Sequence, residues 1–281
     1  MREAIISLDI GASLAKVVLV DEELRIISYG IFPSEELRET ALMALNHIFN
    51  TIDQEKREKI RMILSTGGGS RFLVKENFGL FLKRIDEIKA IGLGGLALSG
   101  KKDCLVVSAG TGTALVVTRN GGKFTRHVGG TGVGGGTILG LSRRMLGVSD
   151  FMVLEEMALR GDLRKVDLMI GDLIGGPIGI LPANVTASNF GKIFGEASAD
   201  DIAAAIFQWV SQTSVVVTAM AAKADALEDS IVVTGMLAKN RMFSKIIHEV
   251  ADLFSVKISI PENCELAGAI GAIVTYLQEI T

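Results

Sequence analysis

At 281 residues, 48% of them hydrophobic and with a mean hydropathy of +0.41, the chain can bury one large core or two medium ones, and two lobes are expected. A formal net charge of −3, with Lys and Arg scattered rather than striped, excludes the usual electrostatic footprint of a nucleic-acid binder. The N-terminal MREAIISLDIGAS has no apolar region and cleavage site of the secretory kind, so the expected location is the cytoplasm.

In chain order, IISLDIGASLAKVVLV (5–20) reads as an apolar strand, a small-residue turn and a second apolar strand. Asp9 stands at its tip, and Lys16 sits between Ala15 and Val17 in an otherwise apolar strand. Ser34 to Glu36 open a helix whose apolar positions Leu37, Ala41, Leu45, Ile48 and Ile52 keep a period near 3.6. The strand IRMILST follows, and then RIDEIKA, where Arg84, Asp86, Glu87 and Lys89 by themselves read as a solvated helix face. CLVVSAGTGTALVVTR (104–119) echoes the first hairpin at a spacing of 99, matching Asp9 to Ser108, Gly11 to Gly110, Ser13 to Gly112 and Lys16 to Leu115. Two similar lobes that each present a tip to a common cleft are the expectation.

HVGGTGVGGGTILGL (127–141) carries six glycines in the eight positions from Gly129 to Gly136 and then turns into a helix-period apolar run. It is a hinge or a cradle. A helix start there would deliver free N–H groups and a positive dipole end to one point, which is an anion site. Further on, 202–222 carries no charge over a bilayer-spanning length, but Gln208, Ser211, Gln212, Thr213 and Ser214 argue against lipid. Its Ala-rich composition suits a helix packed on all sides or placed at a subunit interface. IVVTG (231–235), a helix around 243–254, VKISI (256–260) and a last helix from Glu265 complete an α/β chain. Gly268, Ala269, Gly271 and Ala272 give that last helix a small-residue face suited to close packing. Cys104 and Cys264 lie far apart in apolar surroundings and read as core thiols.

DIGASLAK, SAGTGTAL, HVGGTGVGGGTILGL, VDLMIGDLIGG, NVTASNFGK and ELAGAIGA together resemble the type II pantothenate kinases, from about Ile5 to Tyr276. The resemblance implies a two-lobed, actin-like (ribonuclease H-like) α/β kinase fold with a nucleotide cleft between the lobes. The lobes expected are 1–100 and 101–281, with the final helix able to pack back on the first. The implied activity is ATP- and Mg²⁺-dependent phosphorylation of pantothenate to 4′-phosphopantothenate, at the head of coenzyme A biosynthesis, by a homodimer joined through the uncharged helix.

The site carries over by position. The nucleotide falls to Asp9, Ile10, Gly11, Ala12, Ser13, Leu14, Ala15 and Lys16 at the first tip, Thr111 at the second, and Gly135, Gly136, Thr137, Ile138 and Leu139 at the glycine loop. Phe151 and Met236 become apolar walls for the nucleoside, and Asp9 a Mg²⁺ anchor acting through water. Glu87, Gly110, His127 and Gly129 fall to the acceptor, with Glu87 the general base and Asp86 its rival. His127 is a departure, because the family has Arg there. Imidazole is shorter and lacks the bidentate fork, and Arg126 would point to the opposite face of its strand. Other readings are a kinase for an amino sugar or another small alcohol, and a nucleotide-binding regulator without turnover. An iron–sulfur ATPase that activates dehydratases fits poorly, because neither Cys is placed to ligate a shared cluster.

Overall fold

The computed structural model describes residues 4–280 except 22, 35, 61 and 74–79. The first hairpin pairs β1 (Ile5–Ile10) with β2 (Leu14–Val20), and β3 (Ile26–Pro33) continues the antiparallel meander. After α1 (Leu37–Thr51) and the short α2 (Gln54–Lys59), β4 (Met62–Thr66) runs parallel to β1, and β5 (Phe81–Arg84) parallel to β4. The sheet order is β3-β2-β1-β4-β5, and Glu87–Ser99 forms α3.

The second sheet repeats this connectivity. β6 (Cys104–Ala109), β7 (Thr113–Arg119) and β8 (Phe124–Thr131) form the meander, followed by α4 (Gly135–Leu146) and α5 (Phe151–Arg160). A small excursion holds β9 (Leu168–Met169), α6 (Ile170–Ile174) and β10 (Thr186–Ser188), and the long α7 (Ala199–Ala224) returns to the sheet. β11 (Ile231–Thr234) lies parallel to β6, α8 (Arg241–Phe254) follows, β12 (Ile258–Ser259) lies parallel to β11, and α9 (Ala267–Ile280) ends the described chain. The order β12-β11-β6-β7-β8 mirrors the first sheet strand for strand.

The echo read from the sequence needs one adjustment. Ile10 pairs with Ala15 across the first tip, whereas Ala109 pairs with Thr113 across the second, so the second turn is one residue shorter. Lys16, opposite Asp9, therefore corresponds to Ala114, opposite Ser108, and not to Leu115, which is buried in the core.

Each sheet has its own core. Ile6, Leu8 and Ile63 pack with Ala41, Leu45 and Ile48 of α1. Leu105, Val107 and Leu115 pack with Ile206, Phe207 and Val210 of α7 and with α8. Between the sheets, α9 lays Ala269, Ile270 and Ile273 on Val18, Val20 and Leu64, while α3 lays Ile91 and Leu96 on Val106 and Val116. These two helices meet backbone to backbone. A Cβ on Gly271 would lie 1.8 Å from the Ala90 carbonyl oxygen, and one on Gly94 2.0 Å from that of Ala267. The small-residue face of the last helix is used at this crossing.

α7 is long and apolar enough to cross a membrane, yet 61% of its apolar window is buried in the fold. Its remaining face, with Trp209, Thr213, Val216 and Val217, is half-buried, and Met220 is exposed. Cys104 and Cys264 are buried free thiols, pushed up to about 12 and about 11 chiefly by desolvation. The VDLMIGDLIGG and NVTASNFGK motifs meet at the buried Asp167, whose carboxylate accepts from Phe190 N–H (2.9 Å), Thr186 Oγ1 (3.0 Å) and Asn189 Nδ2 (3.2 Å).

If the α3–α9 crossing is that close, Gly271→Ala should cost about 1–3 kcal/mol by forcing the helices apart. Denaturant unfolding checks it: the midpoint should fall, and an unchanged midpoint would show that the crossing has slack.

Candidate active site

A cleft of about 1030 Å³ opens between the two sheets, and the hairpin tips meet across it. Ser13 Oγ and Thr111 Oγ1 are 2.8 Å apart, joining the tips by a hydrogen bond. Within each tip the turn closes on itself, Gly11 N–H donating to Leu14 O (3.0 Å) and Gly110 N–H to Gly112 O (2.9 Å). Among the described residues, the N–H groups of Ala12, Ser13 and Thr111 make no hydrogen bond within the chain. Small turns with unused N–H groups suit an anion.

Behind the first tip, Lys16 Nζ donates to Asp9 Oδ2 at 3.2 Å, and both side chains are mostly buried. The register explains the pair, because Asp9 and Lys16 are directly opposed on β1 and β2. The same carboxylate is pressed against the N-terminal turn of α9: a Cβ on Gly268 would lie 2.5 Å from Oδ2. Oδ1 faces Gly67, whose φ of +82° only glycine takes without strain and whose added Cβ would lie 2.7 Å away.

Glu87 is the first residue of α3 and lines this cleft. Asp86 is the N-cap, its carboxylate accepting from Lys89 N–H at 2.9 Å, so the two neighbouring acids have separate tasks. Solvent still reaches Glu87, yet its carboxyl is raised above the usual carboxylate range. Partial burial is the first cause, the charges of Asp9 and Asp86 follow, and Lys16 opposes them. A carboxylate with a raised pKa at the mouth of an anion site is suited to taking a proton.

The glycine loop departs from the expectation of free N–H groups. Gly135 N–H donates to Gly110 O (2.8 Å), Gly136 N–H to Thr111 O (3.0 Å), and Thr137 and Ile138 N–H both to Gly134 O (3.0 and 3.1 Å). The opening amides of α4 are thus already satisfied. The glycines permit contact with the second tip: a Cβ on Gly134 would lie 2.6 Å from Thr111 O, and one on Gly136 2.7 Å from Thr111 Cγ2. The loop braces the tip that carries Thr111, and its helix dipole still ends at the cleft.

Of the residues singled out in the sequence, Asp9, Gly11, Ala12, Ser13, Leu14, Lys16, Glu87, Gly110, Thr111, Gly135, Gly136, Leu139, Phe151 and Met236 line one cleft. Ile10, Ala15 and Ile138 do not, because their side chains are fully buried in the two cores. Thr137 turns its hydroxyl to the loop, accepting from Gly134 N–H at 3.2 Å. His127 and Gly129 lie on the edge strand β8, outside the lining. Arg126 points away from α3 and pairs with Asp225 at 2.9 Å, as strand alternation requires, while His127 shares the α3 face with Thr125, which meets Gly92.

Sequence reading passed over Thr66, Thr234, Glu155, Lys239, Arg241 and Glu265, which also line the cleft. Glu155 is buried and accepts from Arg241 Nε (3.0 Å), and Glu265 is buried against Lys239 (3.1 Å). One signal was available: β4 and β11, equivalent strands, both end in Thr-Gly, at Thr66-Gly67 and Thr234-Gly235.

The sequence model of the Fumble family matches residues 101–275. The chain belongs to the Fumble family. Among full-length relatives, a type II pantothenate kinase of Oceanobacillus iheyensis is 28% identical over 96% of this chain and 98% of its own. One of Staphylococcus aureus is 25% identical over 98% of this chain and 99% of its own. Solved structures share the fold at lower identity. The activator of 2-hydroxyisocaproyl-CoA dehydratase from Clostridium difficile with bound ADPNP superposes with a TM-score of 0.69 at 18% identity, covering 99% of this chain and 95% of that one. A ROK family glucokinase from Streptomyces griseus in complex with glucose and AMPPNP gives 0.64 at 13%, covering 98% and 99%. The two-lobed, actin-like kinase architecture expected of this Fumble chain is therefore present.

The raised carboxyl of Glu87 has a stability consequence. Folding disfavours its ionised form, so the cost is absent below the ordinary carboxylate range and grows as pH rises through the raised value. Glu87→Gln should melt slightly higher than the parent near neutral pH and level with it near pH 4. A melting series across pH checks it, and a deficit for the variant at neutral pH would contradict the assigned environment.

Proposed function

We propose that the chain is an ATP-dependent kinase that phosphorylates pantothenate to 4′-phosphopantothenate, the entry to coenzyme A synthesis. The observation that carries this reading is the placement of Glu87 beside the Asp9–Lys16 pair, in the cleft where the two hairpin tips meet. The full-length relatives named as type II pantothenate kinases support it.

In this reading, the unused N–H groups and hydroxyls of the Ser13 and Thr111 tips hold the phosphates, and Lys16 adds positive charge behind them. Leu139, Phe151 and Met236 wall the nucleoside. Glu87 accepts the hydroxyl proton of the alcohol as its oxygen attacks the γ-phosphorus, and the bond to the β–γ bridging oxygen breaks to release ADP. Asp9, with Oδ1 turned to Gly67 and away from Lys16, has an oxygen suited to the water shell of Mg²⁺. Bound Mg²⁺ supplies charge neutralisation on the phosphates. Among the described residues no three His, Cys, Asp or Glu side chains gather as a ligand set, which fits a cation that arrives with the nucleotide. The lobes divide at residue 100 between α3 and β6, and the half-buried face of α7 joins two copies into a cytoplasmic homodimer.

A second acceptor is kept in view by one residue. His127 stands where the family has Arg and lies outside the cleft lining, so another small alcohol competes with pantothenate in this reading.

Two measurements test these assignments. In a coupled ADP-release assay with pantothenate, Glu87→Gln should lose about 10²- to 10⁴-fold in kcat with ATP affinity retained, the range of a positioned base. An unaltered rate would remove Glu87 from the chemistry. His127→Arg should raise kcat/KM for pantothenate on the order of tenfold, the worth of one charge-assisted hydrogen bond. Faster turnover of a different alcohol by the parent chain would withdraw pantothenate as the substrate.

A further inference from the structure

Several hydroxyls in the described residues are buried without a hydrogen-bond partner, including those of Ser7, Ser65 and Thr66. Among them Thr66 alone lines the cleft. It is the last residue of β4, it stands beside Asp9 in the parallel register, and it is 1% exposed. A buried hydroxyl left unpaired carries a desolvation cost, so each such group calls for a cause.

The duplicated lobe shows that the cause is not the strand geometry. Thr234 ends β11 beside Ser108, the counterpart of Asp9, and its Oγ1 donates to Val107 O at 3.1 Å. The equivalent acceptor for Thr66 is the carbonyl of Leu8, the counterpart of Val107, and Thr66 does not use it. The two threonines share strand, register and following glycine, and differ in what faces them: a neutral serine in one lobe and a carboxylate in the other. Asp9 divides its oxygens, giving Oδ2 to Lys16 and turning Oδ1 toward Gly67, the residue after Thr66.

We propose that Thr66 Oγ1 and Asp9 Oδ1 together hold one water of the hydrated divalent cation that accompanies the nucleotide, with Thr66 its neutral anchor. This rests on the nucleotide-binding reading above. A threonine suits the task because its hydroxyl both donates and accepts, so it bonds a metal-bound water without adding a second charge beside Asp9, Glu87 and Lys16. The β-branched side chain is restricted at χ1, which limits where the hydroxyl can point before the cation arrives.

Mn²⁺ is the probe, its free fraction read by electron paramagnetic resonance during titration of the whole chain with ADP present. Thr66→Val keeps the branched shape and removes only the hydroxyl. It should weaken Mn²⁺ binding about fivefold, the weight of one hydrogen bond, with melting temperature not lowered. Thr66→Ser should bind Mn²⁺ within about twofold of the parent. Parental Mn²⁺ affinity in Thr66→Val, or an equal loss in Thr66→Ser, overturns the proposal. ADP binding measured in a chelator and again with Mg²⁺ separates the two claims: in the chelator it should be the same in parent and Thr66→Val, and its absence from the parent under both conditions would sink the nucleotide reading and this inference with it.

Discussion

The close crossing of α3 and α9 is the constraint on which the site depends. Gly94 and Gly271 let the two backbones touch, one helix lying on each sheet, and the helix starts then fall at the same edge of the cleft. Glu87 opens α3, and Gly268 sits in the first turn of α9 against Asp9. Side chains at the crossing would separate the sheets and move Glu87 away from Asp9 and Lys16. The cost of glycine in a helix interior is offset by that approach.

The same economy governs the glycine loop, with a different outcome from the one its composition invites. Six glycines before a helix look like a cradle of free amides, but the amides that open α4 are spent on Gly110 and Thr111 carbonyls and on Gly134. The loop stiffens the second tip from behind. Rigidity is what an anion site needs, since N–H groups that are already aimed require no reorganisation when charge arrives. The unused amides lie at the tips themselves, at Ala12, Ser13 and Thr111.

Duplication supplied a symmetric frame, and asymmetric charge turned it into a site. Asp9 and Lys16 face each other in one hairpin, and Ser108 and Ala114 in the other. The Asp9–Lys16 pair and Glu87 therefore lie on the first-lobe side of the cleft, while the second lobe contributes a neutral tip, the apolar residues Leu139, Phe151 and Met236, and the ion pairs Glu155–Arg241 and Glu265–Lys239. Around Glu87 the like charges are costly: its carboxyl is raised by burial and by Asp9 and Asp86, and Lys16 relieves it. Stability is given up where chemistry is to be done.

Much was legible before any coordinates. Apolar runs around small-residue turns marked both hairpins, helix periodicity marked α1, and the small-residue face of α9 announced a close contact, because these features depend on neighbours within a few residues. The tips, Asp9, Lys16 and Glu87 were found the same way or through the resemblance. Other matters needed the tertiary structure: that Asp86 caps while Glu87 lines the cleft, that Ala114 is the true counterpart of Lys16, that Ile10, Ala15 and Ile138 turn into the cores, and that Thr66 stands unpaired beside Asp9. Local sequence determines which element forms and which face is apolar. Whether an amide is free, a hydroxyl is satisfied or two acids divide their work depends on groups brought from distant parts of the chain, and only packing brings them together.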